Sequence, residues 1–112
     1  RQMCIRDRAQ GATVLTTISS EAKAALAKQA GADHTIDYKR ENVTERVMAL
    51  TNKAGIDAVV EMDVAANAKL YPGILHARSE VVIYGTGSGE STIPSQFLLV
   101  NGIKLQFIYV YE

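Results

Sequence analysis

The 112-residue sequence holds a single cysteine, Cys4, which excludes an internal disulfide framework and fits a reducing cytoplasm. It has no excess of charge. Twelve basic residues balance twelve acidic ones, leaving no electrostatic footprint for nucleic acid or an anionic membrane. No apolar run approaches the ~20 residues that a membrane span needs. Repeats, low-complexity tracts and linkers are missing too. His34 and His76 lie far apart with no serine-elbow motif between them, so a hydrolase triad has no support. The carboxylates Asp57, Glu61 and Asp63 have no histidine or cysteine near them in the sequence, which argues against a metal site. What remains is a chain of ordinary globular composition, 47% hydrophobic and 21% charged, long enough for one modest core.

The stretch ATVLTTISSEAKAALAKQAGA, Ala12 to Ala32, is the most sharply patterned. Ala12 to Thr17 is β-branched, apolar and too short for a helix, which predicts a buried strand. Ser20 is placed to cap a helix carrying Ala22, Ala25, Leu26 and Ala30, with Glu21 in the first turn and Gly31 as the stop. Ala9 and Gln10 read as the end of an earlier helix closed by Gly11. His34 to Ile36 predicts a short strand. A helix with Val43, Val47, Met48 and Leu50 on one face follows, capped by Asn42 or Thr44. Ile56 to Met62 is a continuous apolar run, expected as a strand buried on both faces. A helix from about Ala65 to Leu75 should bend at Pro72. Glu80 to Tyr84 and Ile103 to Tyr111 are further strands, separated by the glycine-rich Gly85 to Gly89 and a short helix from Pro94 to Gly102. Strands alternating with helices predict an α/β fold, a doubly wound parallel sheet with right-handed crossovers.

Arg1 to Arg8, RQMCIRDR, has no helical or strand period. It resembles the peptide translated from a sequencing adapter. It is expected to stand outside the folded domain, as an artefact of that kind or as a disordered terminus, with the domain occupying residues 9–112.

In dinucleotide-binding folds the loop after the second strand meets the adenosine ribose, where a carboxylate accepts from the 2′-hydroxyl of NAD. Thr17, Ile18, Ser19 and Ser20 provide no carboxylate in the corresponding turn, and Lys23 lies one helical turn on. Hydroxyls plus a lysine suit a 2′-phosphate, so a fold of this kind would prefer NADP(H). Each residue has a plainer role as well: an exposed helix lysine for Lys23, packing for Tyr38, helix capping for Asn67. Gly85-Thr86-Gly87-Ser88-Gly89 is not the dinucleotide fingerprint, because Glu90 to Pro94 do not open a helix. It is either a loop at a strand's carboxyl end, where open α/β sheets bind ligands, or a flexible connector.

The segments GAD-x-x-I-x-Y and GIDxVxE, with EVVIYGTGSG and IKLQFIYVY, resemble the coenzyme domain of the zinc-independent medium-chain dehydrogenase/reductases, NADPH:quinone reductase (zeta-crystallin) type. The resemblance runs from Ala9 to Glu112. It implies a partial Rossmann-type doubly wound parallel sheet lacking its first, central strand, together with that strand's glycine-rich pyrophosphate turn. It implies NADPH as cofactor, with Lys23 beside Ser19 on the 2′-phosphate and Tyr38 at the adenine end. Asn67 corresponds to an asparagine after the fourth strand, subject to a one-residue slip at Ala65 and Ala66. Tyr84, Gly85 and Thr86 would border the nicotinamide, and Phe107, Ile108 and Tyr109 its pocket. The parent would transfer hydride to a quinone or an activated enone or alkenal, and no residue of this sequence looks like an obligatory general acid or base. It would be cytoplasmic and homodimeric through its last strand, binding neither nucleic acid nor membrane. A sheet without its middle strand would leave backbone groups unpaired on both flanking strands. The chain alone should then be marginally stable and a poor binder of NADPH.

A stand-alone flavodoxin-like or receiver-like binding module shares the alternating pattern. A receiver needs acidic residues at the end of its first strand, which Thr16, Thr17 and Ser19 do not supply, and a flavin module would be yellow. A non-catalytic cofactor-binding subunit of the same ancestry stays open.

Overall fold

The computed structural model describes residues 13–109 and the backbone of a strand at Met3–Asp7. In chain order the elements are β1 (Met3–Asp7), β2 (Thr13–Ile18), α1 (Glu21–Gln29), β3 (His34–Asp37), α2 (Val43–Leu50) and β4 (Ile56–Glu61). They continue with α3 (Val64–Asn67), a 3₁₀ turn (Ala68–Leu70), α4 (Tyr71–Ile74), β5 (Leu75–Ile83), α5 (Ser95–Val100) and β6 (Lys104–Phe107). The helix starts follow their caps. Ser20 Oγ accepts from the Lys23 N–H at 3.2 Å, and Asn42 Oδ1 from the Glu45 N–H at 3.0 Å. Gly31, at φ 110°, closes the chain after α1.

The six strands form one sheet in the order β3-β2-β1-β4-β5-β6. Neighbours are parallel except at β1, which runs antiparallel to both β2 and β4. Among the described residues the parallel first strand of such a fold has no counterpart. Its slot is nonetheless filled, with Cys4 opposite Thr16 on one side and Val60 on the other. This corrects two expectations: residues 3–7 are a strand of the domain, and β2 and β4 are not left unpaired. Ladder bonds use main-chain groups that any short proline-free segment can offer, so a segment without side-chain period still pairs. The readings at residues 9–11 lie outside the described residues.

α2 to α5 pack on the face of the sheet that α1 leaves to them, each contributing a residue in or against the core. That face carries the core: Leu15, Ile36, Val47, Val59, Tyr71, Ile74, Val81 and Ile83 form one buried cluster with Val43 of α2 and Val64 of α3. α1 contributes no buried residue, and its Leu26 is 64% exposed. β4 is therefore not buried on both sides as expected. Val59 and Glu61 point into the core, while Val60 and Met62 are exposed.

Three further boundaries differ from expectation. The helix foreseen over Ala65 to Leu75 is α3, the 3₁₀ turn and α4 in succession, with Pro72 in the first turn of α4. β5 begins at Leu75, because an irregularity sets Leu75 opposite Ile56 but Glu80 opposite Ala58. The residues so displaced include His76, whose Nε2 lies 2.5 Å from Asp57 Oδ1, so a histidine does accompany that carboxylate. β6 spans only Lys104–Phe107, since beyond Phe107 the chain leaves the ladder after one more bond to β5.

Candidate functional site

Every residue named as a cofactor contact stands at or beyond the carboxyl ends of the parallel strands, along one edge of the sheet. They fall into two groups on either side of β1.

The first group lies where β2 and β3 end. Lys23 is one turn into α1, and its Nζ donates to Ser19 Oγ at 3.1 Å. With Thr17, Ile18 and half-buried Tyr38 these residues line a cleft of about 510 Å3, whose other wall is the α1 stripe of Leu26, Ala27 and Ala30. Among the described residues no carboxylate lines it. A second cavity of about 200 Å3 shares Thr17 and Tyr38 and extends to Asn42, Thr44 and Asn67. Tyr38 is thus common to both spaces. Nearby Glu41 is occupied at the end of β3, accepting from the Asp37 N–H at 2.8 Å and from Arg46 at 2.5 Å.

The second group lies where β4, β5 and β6 end, and its centre is a residue that the sequence raised only as a metal ligand, a role it did not support. Glu61 is fully buried. Its Oε2 accepts from the Met62 and Asp63 N–H groups, each at 3.1 Å, and from Asn67 Nδ2 at 2.7 Å. Its Oε1 accepts from the Tyr71 hydroxyl. Burial, reinforced by this hydrogen bond and by the adjacent negative carboxylate, drives the Tyr71 pKa far above its ordinary value, so the hydroxyl stays neutral and donates. Asn67 is not a helix cap: Asp63 caps α3, accepting from the Ala66 N–H at 3.2 Å, while the Asn67 amide turns to Glu61. Asn67 does line the second cavity.

The loop after β5 is sewn to the same turn. Tyr84 N–H donates to Glu61 O at 2.8 Å, Val64 N–H to Gly85 O at 3.3 Å, and Ala65 N–H to Thr86 O at 2.9 Å. Here the glycines have a local purpose. A Cβ on Gly85 would strike the Met62 carbonyl, and one on Gly87, at φ 75°, the Asp63 carboxylate. Ile108 N–H bonds Ile83 O at 2.9 Å, which brings Ile108 beside the start of that loop. Phe107 and Tyr109, 64% and 85% exposed, project at the free edge of the sheet, away from any described cavity. The signal for Glu61 was present in the sequence: a carboxylate closing an apolar strand cannot be buried without donors, and Asn67 and Tyr71 supply them.

Between the two groups stands β1. Because it runs antiparallel, its Met3 end lies beside Glu61, where a parallel strand would end in a turn and a helix N-terminus. Among the described residues no such turn serves the middle of the edge.

Residues 6–112 match the family model for zinc-binding dehydrogenases. The chain belongs to the zinc-binding dehydrogenase family. It is similar to a quinone oxidoreductase of Pseudomonas aeruginosa, 35% identical over 80% of this chain and 27% of that protein. It is also similar to a 2-haloacrylate reductase of Burkholderia sp, 34% identical over 70% of this chain and 24% of that protein. In structure it matches the quinone oxidoreductase of Pseudomonas syringae pv. Tomato DC3000 with a TM-score of 0.74 and 31% identity, over 88% of this chain and 31% of that one. These relatives agree with the quinone-reductase type that the sequence motifs resemble. The chain spans about a quarter of the length of the curated relatives it matches. The family implies a nicotinamide cofactor, and the α/β sheet provides the edge on which such cofactors lie. Despite the family's name, no group of three or more His, Cys, Asp or Glu among the described residues stands together to hold a metal ion. No helix among them is long and apolar enough to cross a membrane.

Proposed function

We propose that this chain is part of the cofactor-binding domain of an oxidoreductase that uses NADPH to transfer hydride to a quinone or an activated enone or alkenal. The observation that carries the cofactor choice is the Lys23–Ser19 pair, 3.1 Å apart at the end of β2, in a cleft that no carboxylate among the described residues lines. An ammonium and a hydroxyl together donate to a 2′-phosphate, whereas a 2′-hydroxyl calls for an acceptor. The quinone oxidoreductase and 2-haloacrylate reductase relatives support the substrate class. When bound, the nicotinamide supplies the hydride. The chain's own residues bind and orient: Ser19 and Lys23 at the phosphate, Tyr38 at the adenine end, and Asn67 after the fourth strand. Tyr84, Gly85 and Thr86 border the nicotinamide, with Phe107, Ile108 and Tyr109 at its far side. The parent protein acts in the cytoplasm as a homodimer joined through its last strand, with small molecules rather than nucleic acid or membrane as partners. Lacking a pyrophosphate turn among its described residues, the chain alone is expected to be inactive and to bind the whole cofactor weakly.

The test is a titration of the chain with adenosine 2′,5′-bisphosphate and with 5′-AMP, followed by NMR, for wild type and Lys23→Ala. The bisphosphate should bind wild type more tightly by about five- to tenfold, an advantage that Lys23→Ala removes. Equal affinities in wild type, or an equal loss for both ligands in the variant, would refute the 2′-phosphate role.

A further inference from the structure

We propose that Glu61 is a positioning residue, holding the turn after β4 and the loop after β5 together as one rigid shelf for the nicotinamide end of the cofactor. The assignment rests on the reading that Tyr84, Gly85 and Thr86 border the nicotinamide. Its basis is the set of groups that converge on this one side chain. Three donors reach Oε2: the Met62 and Asp63 N–H groups and the Asn67 amide. Tyr71 reaches Oε1 from α4. The main-chain oxygen of the same residue accepts from Tyr84, the first residue of the β5 loop.

Removing two oxygens of a fully buried side chain from water is costly, and an apolar residue of similar volume would fill the core at least as well. What only a carboxylate provides here is acceptor capacity for four donors fixed in direction. Those donors come from the turn, α3 and α4, so their positions become mutually dependent. Asp63, whose N–H is held by Glu61, caps α3 and fits against Gly87. Val64 and Ala65 then carry that order across to Gly85 and Thr86. Both loops are thereby fixed by one group that itself has no access to the cofactor.

Glu61→Gln keeps the shape but sets an NH2 among N–H and O–H donors, with fewer acceptor positions. Amide hydrogen exchange on the full chain reads the result. At least tenfold faster exchange at Ala65 and Tyr84, with Leu15 and Ile36 within twofold of wild type, supports the positioning role. Unchanged loop exchange overturns it, and so does uniformly faster exchange, which would make Glu61 a general stabiliser. If Glu61→Gln fails to fold, Tyr71→Phe decides by the same criteria, since it keeps the ring and removes one donor. A second readout is titration with reduced nicotinamide mononucleotide at millimolar concentration, which should shift the Tyr84–Thr86 amides in wild type and not in Glu61→Gln. Shifts from adenosine 2′,5′-bisphosphate at Ser19 and Lys23 should survive the substitution. Absence of nicotinamide shifts in wild type would count against the cofactor placement, while the exchange arm would still judge Glu61.

Discussion

The two ends of the candidate cofactor edge are built on opposite principles. At the β2 end the side chains that matter are exposed or half-buried. Lys23 holds one hydrogen bond to Ser19, and the helix that carries it has no fully buried residue. At the β4 end a carboxylate and its partners Asn67 and Tyr71 are all buried and tied to two loops at once. An exposed end of this kind would recognise by charge and can change without disturbing the fold. A buried end recognises by fixed shape, and whatever alters its chemistry also alters stability. Substitutions at the two ends should therefore separate binding from folding.

The largest effect tests whether the two ends belong to one sheet at all. Removing residues 1–8 takes away β1, the strand that pairs with both β2 and β4. Both ladders would then present open main-chain edges in the middle of the molecule. Loss of cooperative unfolding, association on size exclusion and lost amide protection at Leu15 and Val59 are expected. A monomeric truncated chain with a sharp two-state transition would show that the halves stand without the strand between them. Next in size is Tyr71→Ala, which empties a core position and strips Oε1 of its donor. It should lower stability by about 3–5 kcal/mol, read as a shift of the urea midpoint. A cost near zero would mean that the β4 end is no more integral than the β2 end.

The difference between the ends also explains what could be read from the sequence. The β2 end was legible because its signals are local: Ser20 and Glu21 at a helix start, Lys23 one turn on, Gly31 after the stop. Asn42 as a cap and the α/β order followed for the same reason. The β4 end was legible only in part. A carboxylate closing an apolar strand signals a need for donors. Asn67 and Tyr71, six and ten residues later, are identified as those donors only when they fold back over it. Asn67, weighed as a cap, lost that role to Asp63, which sits at the correct spacing for it. Residues 3–7 were missed for a different reason: side-chain periodicity reports burial, whereas what places this strand is main-chain pairing with two vacant edges. The bare face of β4 escaped notice because Val60 and Met62 are as apolar as the buried residues beside them.

A smaller effect comes from pH. The Tyr71 pKa is raised by burial first and by Glu61 second, so the folded chain holds a proton that the unfolded chain releases near pH 10. Its contribution is complete below pH ~10 and falls as pH rises beyond that value, at about 1.4 kcal/mol per pH unit. Stability measured from pH 8 to 11.5 should bend downward above 10, and Tyr71→Phe should flatten the bend. The same slope in the variant would assign the alkaline loss to other tyrosines and leave the buried end without a distinctive pH response.

The smallest expected effect on stability is the most discriminating for the exposed end. Lys23 lies on the surface of a helix with no buried residue, and its one side-chain bond is to the half-exposed Ser19. Lysine and alanine are both good helix formers, and an exposed bond of this kind contributes little in water. Lys23→Ala should therefore leave the urea midpoint unchanged within about 0.5 kcal/mol while abolishing the preference for a 2′-phosphate. If the variant is instead substantially destabilised, the Lys23–Ser19 pair is holding α1 against the sheet. The cleft beside it would then be a consequence of packing, and the contrast between a recognising end and a structural end would fail on the side where it looked simplest.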